Sequence, residues 1–579
     1  MISVVQILSI FFSAVLLPLA LPNELFSTGL AVPGLFALVP ALLAIYAAPS
    51  RRSVSRLGAL FGAVSTVIAN YWLAFFGDFS IWTIGGTVIG YTGYNYILFG
   101  FLHFLVHGDQ IGGVVGAPGV TRLRMASLTA SSIAGHPYYR PIRIALAWTA
   151  YEYLKSVGFL GYPWGLIAYP IAEFGPVAQI AELTGPWGLS FLGAYINAAL
   201  AGWIAASSAS CPGFSGVPHQ TVHKTVHNKM QYNTLGAYRH IGAATALFAL
   251  AALFGVFRLP SVQPTDQIEM VLVQQNVNSW NPGQFTDALR RAQELTLQEL
   301  LAQESSEGAV LPGGAARPEA IVWSETSLRV PYEPVKDYYF QEPPELPFRL
   351  FLQLTGIPLI TGTPQRVPGT NDYTNSAIVI LPDGSVTGSY DKQQLVPFAE
   401  SIPFWNVPMV QTFFRDVVGL GGTWVAGSDS RTLTLPRKDS PPLQIGTPIC
   451  FEDAFGWVTR EMVLNGAQLL VNLTNNSWSL QNSAQTQHYA AARLRTIELR
   501  TTLVRGTNSG LSGVIDARGV LVSGMPMFES AGIGVTVPLY PEVWTLYRAW
   551  GDWLGVVSVV VVAGTVARAA LRRRRRDSE

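Results

Sequence analysis

Three residues whose side chains together suit covalent chemistry lie in the second half of the sequence. Glu325, Lys392 and Cys450 each come where a predicted strand ends. They stand in three short segments: Trp323–Thr326, Tyr390–Gln393 and Pro448–Glu452. A thiol reacts as the thiolate, which requires a neighbouring base or cation, and acyl transfer also requires a group that stabilises the oxyanion. A carboxylate, an ammonium and a sulfur could therefore act as base, oxyanion partner and nucleophile.

The elements that would position these residues alternate between strands and helices. The candidate strands are Ile268–Val273, Ala320–Trp323, Pro358–Gly362, Ser376–Leu381, Leu443–Pro448, Leu469–Leu473, Thr502–Gly506 and Gly513–Asp516. The candidate helices, judged by the spacing of their apolar residues, include Phe285–Gln303, Val458–Asn465 and Ala484–Arg500. This alternation predicts a layered α/β domain in residues 267–541, and about 270 residues are enough for a core of its own.

The rest of the chain is too apolar for an ordinary soluble protein. Of the 579 residues, 49% are hydrophobic and 13% are charged, whereas soluble domains have roughly 25% charged residues. A membrane-spanning helix needs about 20 largely apolar residues. Eight stretches are predicted to span: Ile2–Pro22, Leu30–Ala48, Leu57–Phe76, Ile81–Val106, Ile144–Leu160, Ile180–Ala206, Ile241–Phe257 and Trp544–Ala567. We expect a seven-helix membrane domain in residues 1–258 and an eighth helix at 544–567; the net charge of +1 gives no reason to expect nucleic-acid binding.

The positions of Lys and Arg orient these spans. Basic residues follow every even-numbered span: Arg51, Arg52, Arg56, Arg122, Arg124, Arg140, Arg143, Lys224, Lys229, Arg239 and the run Arg572–Arg576. The alternate loops contain none: Asn23–Thr28, Gly77–Phe79 and Gly161–Gln179. Short cytoplasmic loops are enriched in Lys and Arg. Both termini are therefore expected in the cytoplasm, with residues 568–579 as a basic cytoplasmic tail and the α/β domain outside.

Longer segments around the reactive residues resemble those of a known family. They are Leu272–Asn276, Trp323–Thr326, Lys392–Phe404, Ile449–Glu452, Asn475–Trp478 and Arg495–Asn508, with Tyr162–Trp164 in the apolar part. At these positions the chain resembles the nitrilase superfamily, and with its apolar spans it closely resembles the apolipoprotein N-acyltransferase family over nearly its whole length. The resemblance implies an αββα sandwich for the α/β domain, beside a bundle of about eight transmembrane helices.

The resemblance also implies a role for each residue of the site. Glu325 would be the general base, Lys392 the cation that stabilises the oxyanion, and Cys450 the nucleophile. The supporting or substrate-binding residues would be Glu400, Phe451, Glu452, Trp478 and Trp280. Phe451 stands where the family often has Tyr, so a hydroxyl is missing there, although the backbone N–H can still serve an oxyanion hole.

By the same resemblance, the reaction would be ping-pong. Cys450 would take an acyl chain from a phospholipid such as phosphatidylethanolamine and pass it to the α-amino group of a diacylated apolipoprotein, the last step of lipoprotein maturation. Both substrates are membrane-anchored, which explains why the domain needs spans. No metal or organic cofactor is required. The enzyme would lie in a bacterial inner membrane with its catalytic domain on the periplasmic side.

Two other functions stay open at the level of sequence. A membrane-tethered amidase or hydrolase of nitrilase type would pass the acyl group to water, and no sequence feature excludes water from the site. A membrane assembly protein with a vestigial domain would be expected to have lost at least one of Glu325, Lys392 and Cys450, and all three are present.

Several residues also have a plainer interpretation. Cys450 could be a small core residue. Glu400 and Glu452 could form structural ion pairs with Arg495 or Arg505. Ionisable groups are costly in lipid, so Glu152 and Lys155 are expected to pair with each other or to contact a headgroup or the domain above. The spacing of three histidines could gather a metal, but a solvated loop rich in Ser, Pro and Gly is expected there. These histidines are His219, His223 and His227.

Overall fold

The structure is a computed structural model. It describes residues 2–76, 80–107, 140–210, 234–278, 285–306, 317–418 and 423–577. Trp280 and the histidines at 219, 223 and 227 lie outside the described residues, so the roles suggested for them stay predictions.

The apolar part of the chain is helical. Its longer helices are Val4–Ala20, Arg51–Asn70, Ser80–His107, Arg140–Ser156, Pro186–Ser210, Thr234–Arg258 and Trp553–Asp577. Shorter ones are Ala31–Gly34, Val39–Tyr46, Ala168–Ala172, Gly175–Ala178 and Ala181–Thr184. Among the described residues, four helical stretches are long and apolar enough to cross a membrane: Arg51–Phe75, Pro186–Ser208, Leu235–Ser261 and Trp553–Leu571. The count of eight spans stays a prediction.

Two long helices begin later than the hydropathy pattern indicates. The helix expected from Ile180 begins at Pro186, and the one expected from Trp544 begins at Trp553. In each place a glycine with positive φ interrupts the helical backbone: Gly185 (φ 62°) and Gly551 (φ 57°). Glycine adopts this conformation without the steric penalty of a Cβ atom. Apolar composition continues through such a break, so it does not reveal where the helix starts.

In its described residues, the α/β domain has twelve strands in two six-stranded sheets. The strands are β1 Asp266–Gln274, β2 Ala320–Val322, β3 Leu359–Arg366, β4 Tyr373–Ile380, β5 Val386–Asp391, β6 Leu433–Leu435, β7 Leu443–Gly446, β8 Leu469–Thr474, β9 Leu503–Thr507, β10 Gly513–Ile515, β11 Leu521–Gly524 and β12 Ala531–Leu539. The first sheet has the order β12-β1-β2-β3-β4-β5 and the second β11-β10-β9-β8-β7-β6. In each sheet three parallel strands lie between antiparallel neighbours.

Side-chain alternation explains how the sheets stack. Met270 and Leu272 of β1 belong to the core between the two sheets, whereas Val271 and Val273 belong to a separate core under the helix Phe285–Ser306. Successive side chains of a strand point to opposite faces, so a strand covered on both sides has no polar face. The remaining helices of the domain are Lys336–Tyr339, Phe348–Thr355, Pro408–Phe413, Gly456–Leu464, Asn482–Leu499 and Leu546–Trp550. The predicted two-sheet α/β domain is therefore present.

The sequence missed some strands at the edges. β5, β6, β11 and β12 lie outside the eight candidate strands, and β12 pairs antiparallel with β1 along its whole length. Its sequence carries two glycines and a proline. Both residue types weaken a strand pattern, and proline is tolerated where its missing N–H faces away from the ladder.

Candidate active site

Glu325 lies just past the end of β2, in a turn that packs tightly on β3. Its carboxylate is buried and accepts hydrogen bonds from Asn375 Nδ2 at 2.7 Å and from the backbone N–H of Asn475 at 2.7 Å. A Cβ atom on Gly362 would lie 2.5 Å from the Thr326 nitrogen. A glycine in β3 is therefore what lets the two segments approach and hold the carboxylate in place.

Lys392 directly follows β5 and is completely buried. Its Nζ lies 2.8 Å from Glu400 Oε1 and 3.5 Å from Glu325 Oε1. Burial alone would lower the pKa of the ammonium, but the carboxylates of Glu400 and Glu325 outweigh it and raise the pKa above its ordinary value. The lysine is therefore a fixed positive charge between two carboxylates.

Asn375 links the two carboxylates. It lies on β4 beside Lys392, whose N–H donates to the Asn375 carbonyl at 2.8 Å. Its Nδ2 donates to Glu325 Oε1 at 2.7 Å and reaches Glu400 Oε1 at 3.4 Å. Asn375 lies outside the segments that predicted the site. The only available signal is an amide just before the apolar run of β4, and it becomes informative only when the strand register is known.

Cys450 begins the 3-10 turn Cys450–Ala454 that follows β7. Its φ of 54° is in the left-handed region, which is uncommon for a residue with a Cβ atom. Asn472 of β8 fixes the turn because its Nδ2 donates to the carbonyl oxygens of Pro448 at 3.1 Å and Cys450 at 2.8 Å. Burial and the nearby Glu325 carboxylate raise the pKa of the thiol well above its ordinary value, and the Lys392 ammonium opposes them.

Glu452 clamps the cysteine turn to the lysine segment. It is fully buried, and its two oxygens accept hydrogen bonds from four donors. These are Ile449 N at 2.7 Å, Gln393 N at 2.8 Å, Gln394 N at 2.9 Å and the Tyr390 hydroxyl at 3.0 Å. Burial raises the pKa of Glu452 to about 7, although the hydrogen bonds from Ile449 and Gln394 act in the opposite direction.

The ion pairs that sequence analysis left open for Glu400 and Glu452 are not formed. Arg495 pairs with Glu498 at 2.5 Å, and Arg505 pairs with Asp453. Glu400 pairs with Lys392 instead, and its Oε2 accepts the Val396 N–H at 2.8 Å. Glu400 therefore forms a buried ion pair with a lysine and not with either arginine, and among the described residues Glu452 forms none.

Two aromatic candidates surround the site. The Phe451 ring is buried under the Lys392 ammonium, whose Nζ is 5.7 Å from the ring centroid, and lies 6.4 Å from the ring of Trp164. Trp478 packs on aromatic side chains at the end of an apolar helix, at 5.8 Å from Trp72 and 4.5 Å from Phe76. Trp478 thus lies where the α/β domain meets the apolar helices.

Glu152 and Lys155 do not form the direct ion pair considered from the sequence. Glu152 accepts hydrogen bonds from Trp148 Nε1 at 2.9 Å, Ile167 N at 2.8 Å and Ser190 Oγ at 2.5 Å. Lys155 Nζ donates to the carbonyl of Trp164. Both side chains therefore hold the segment that places Trp164 against Phe451 and the domain above.

The described arrangement can support nucleophilic chemistry. The Cys450 thiol lies close enough to the Glu325 carboxylate and the Lys392 ammonium for both charges to shift its pKa, and the backbone N–H of Phe451 follows the cysteine. Within the described ranges, no group of three or more His, Cys, Asp or Glu side chains is placed to hold a metal ion. That no cofactor is needed stays a prediction.

Comparisons with known proteins cover both parts of the chain. Residues 13–199 match the apolipoprotein N-acyltransferase N-terminal domain, and residues 321–539 match the carbon-nitrogen hydrolase family. Apolipoprotein N-acyltransferase 2 of Treponema denticola is 33% identical over 96% of this chain and 95% of its own. The Treponema pallidum protein of that name is 33% identical over 98% and 95%. Apolipoprotein N-acyltransferase of Borreliella burgdorferi is 27% identical over 93% and 91%. With such identity along nearly all of both chains, this protein belongs to the apolipoprotein N-acyltransferase family.

Proposed function

We propose that this protein transfers a fatty acyl chain from a phospholipid, through a thioester on Cys450, to the N-terminal α-amino group of a diacylated apolipoprotein. The observation that carries the proposal is the placement of Lys392 Nζ between Glu325 and Glu400, 2.8 Å from the second, beside the Cys450 turn. Family membership supports the substrates, and this geometry supports the roles of the residues.

The first half-reaction breaks the ester of the phospholipid. Glu325 takes the thiol proton as the Cys450 sulfur attacks the ester carbonyl. Lys392 Nζ and the N–H of Phe451 stabilise the tetrahedral oxyanion. When the intermediate collapses, the C–O bond breaks, and Glu325 returns the proton to the departing lysophospholipid oxygen. The acyl chain remains on sulfur.

The reaction requires a base because the pKa of the Cys450 thiol is raised. A cysteine with a lowered pKa would be a thiolate at rest, but burial and the Glu325 carboxylate keep this thiol protonated. Proton removal must therefore accompany the attack, and a fixed carboxylate nearby meets that need. Glu400 neutralises part of the Lys392 charge and holds the ammonium in place.

The second half-reaction transfers the acyl chain to nitrogen. The neutral α-amine attacks the thioester carbonyl, and the oxyanion forms again beside Lys392. The C–S bond breaks as the amide forms. Glu325 accepts the proton that the nitrogen loses and returns it to the cysteine sulfur, which restores the thiol. An α-amino group has a pKa of about 8, so the neutral amine is accessible near neutral pH.

The apolar helices place this chemistry at a membrane surface. We propose eight spans in a bacterial inner membrane, with both termini in the cytoplasm and the α/β domain on the periplasmic side. Trp478, against Trp72 and Phe76, is proposed as a hydrophobic wall by which acyl chains enter. Trp280 keeps its proposed role in substrate contact.

The decisive experiment detects the thioester. The purified protein is incubated in detergent with a phosphatidylethanolamine that carries an alkyne-tagged acyl chain, and the label on protein is measured with and without hydroxylamine. Wild type is expected to carry hydroxylamine-sensitive label, and Cys450→Ala none. Cys211→Ala, which changes the other cysteine of the chain, is the matched control and should label like wild type. Persistent label on Cys450→Ala would remove Cys450 from its role.

A diacylated lipopeptide then distinguishes transferase from hydrolase. Transfer predicts that adding the peptide discharges the label into a triacylated product. If the label is instead lost as free fatty acid and no triacylated peptide forms, the protein is a membrane-tethered hydrolase.

A further inference from the structure

A buried histidine contacts the cysteine turn through an aspartate that the proposed chemistry does not use. Asp453, three residues after Cys450 in the same turn, is fully buried. One of its oxygens pairs with Arg505 of β9, and the other lies 2.6 Å from His488 Nε2. The proposed mechanism uses none of these three side chains.

The turn is thus held from two directions. Glu452 and Asn472 tie it to loops and strands of the α/β domain itself. The helix Asn482–Leu499 makes a second set of contacts, through His488 and more loosely through Arg495, whose Nη1 lies 3.4 Å from the Ala454 carbonyl.

The same helix rests on the apolar helices. Gln487, next to His488, donates from Nε2 to the carbonyls of Pro22 and Ala69, both at 3.0 Å, and accepts from Trp72 Nε1 at 3.3 Å. Arg493, five residues after His488 on the same helix, donates to Glu173 at 2.8 Å. The His488 ring itself lies 5.7 Å from the ring of Trp164 in the apolar part. Residues 487 and 488 therefore join the apolar helices to the cysteine turn.

We propose that His488 is a positioning residue. Through its hydrogen bond to Asp453, it holds the cysteine turn in its reactive geometry when the helix Asn482–Leu499 is packed on the apolar helices. A buried carboxylate needs charged or hydrogen-bonded partners. Arg505 supplies the charge from within the domain, whereas His488 supplies a directional bond from the seated helix. The cysteine turn reaches its reactive geometry when that helix is docked, so the apolar helices serve the chemistry as well as substrate access. This inference rests on the proposed function of Cys450.

The test compares variants on one helix by the rate of thioester formation from the alkyne-tagged phospholipid, with the full-length protein in detergent. His488→Leu is expected to lower that rate by about tenfold or more, since small displacements of a nucleophile are costly, with the KM for the phospholipid unchanged. His488→Gln keeps an N–H donor and should recover most of the rate. Gln487→Leu, which removes the seating bonds, should also lower the rate. Thr486→Val is the matched control, because its hydroxyl bonds to the Asn482 carbonyl within the same helix, and it should react like wild type.

The outcomes separate this inference from the proposed function. An unlabelled wild type defeats the proposed function. If wild type is labelled and His488→Leu forms the thioester within twofold of the wild-type rate, the positioning role alone is overturned. A rise in the KM of His488→Leu at an unchanged rate overturns it as well. So does a His488→Gln variant that does not recover the rate of thioester formation. Should His488→Leu not fold, Gln487→Leu decides: a wild-type rate in that folded variant overturns the proposal.

Discussion

Two clusters of buried polar groups flank the cysteine turn, and they satisfy their carboxylates in different ways. The lysine cluster, made of Glu325, Asn375, Lys392 and Glu400, places one ammonium between two carboxylates. The Glu452 clamp, made of Glu452 and its four donors, surrounds one carboxylate with neutral N–H and O–H groups.

The difference appears in the protonation of each cluster. In the lysine cluster the carboxylates raise the pKa of Lys392 against the effect of burial, so the charge is permanent. In the clamp none of the described cations forms an ion pair with the carboxylate. Burial raises the pKa of Glu452 to about 7, although the hydrogen bonds and the more distant Lys392 charge act in the opposite direction. Both clusters are buried, so burial alone does not set the charge of a cluster. The clusters differ in whether a cation is among the partners of their carboxylates.

Removing Lys392 should have the largest effect. Lys392→Met preserves much of the side-chain volume but leaves two buried carboxylates without their cation and removes the proposed oxyanion partner. The rate of thioester formation is expected to fall about a thousandfold, the upper range for loss of one such donor, in the alkyne-phospholipid assay. Lys336→Met, at an exposed pair with Glu333 of 3.0 Å, should leave the rate unchanged. A loss below tenfold at position 392 would contradict the assigned role.

The residues of the proposed site differ in how clearly the sequence predicts them. Glu325, Lys392, Glu400 and Cys450 stand in distinctive segments after apolar runs, and the structure brings the first three together beside the turn of the fourth. Their catalytic roles remain proposals. Asn375 has no such segment, because only the pairing of β4 with β5 places it beside Lys392. Sequence spacing reports order along a strand and says nothing about register between strands.

The fold shows the same limit. Apolar runs predicted the central strands and a layered α/β domain, since strands buried on both faces must be apolar. The two-sheet sandwich was implied by the family resemblance. The edge strand β12 was missed because glycine and proline interrupt its pattern. The sequence also left the partners of Arg495 and Arg505 open, since a buried charge pairs with whichever opposite charge the packing brings near. Asp453 and Glu498 take those positions.

The clamp should make stability depend on pH. The pKa of Glu452 is about 7 in the folded protein, against an ordinary value of 4.5. The folded state therefore binds this proton more tightly. The resulting stabilisation is fully present below pH 4.5 and is lost as pH rises through about 7, by about 3 kcal/mol at most. Thermal unfolding of wild type and Glu452→Gln in detergent, compared from pH 4.5 to 8, measures it. A difference in Tm that stays constant with pH would show that Glu452 does not titrate in this range.

Glu452→Gln should also slow the chemistry, but far less than Lys392→Met. The substitution replaces one accepting oxygen of Glu452 by an NH2 group that faces a backbone N–H. Neither of these two donors then has an acceptor, and such an unsatisfied buried group destabilises the fold by about 1–3 kcal/mol. The cysteine turn shifts as a result, and the rate of thioester formation is expected to fall about tenfold with KM for the phospholipid unchanged. Glu461→Gln, at an exposed glutamate bonded to Ser430 at 2.9 Å, is the control. A thousandfold loss for Glu452→Gln would place the clamp among the reacting groups.

Asn375→Ala should have the smallest effect, although Asn375 belongs to the lysine cluster. Its amide donates to Glu325 at 2.7 Å, but Lys392 still compensates both carboxylates after the amide is removed. One hydrogen bond to a charged group contributes about 1.5–3 kcal/mol at most, and water can replace part of it, so a loss of about three- to tenfold in acylation rate is expected. Asn472→Ala, which frees the carbonyls of Pro448 and Cys450 on the clamp side, should cost a similar factor. If Asn375→Ala instead equals Lys392→Met, the amide and not the ammonium sets the carboxylate geometry, and the distinction by partner charge fails.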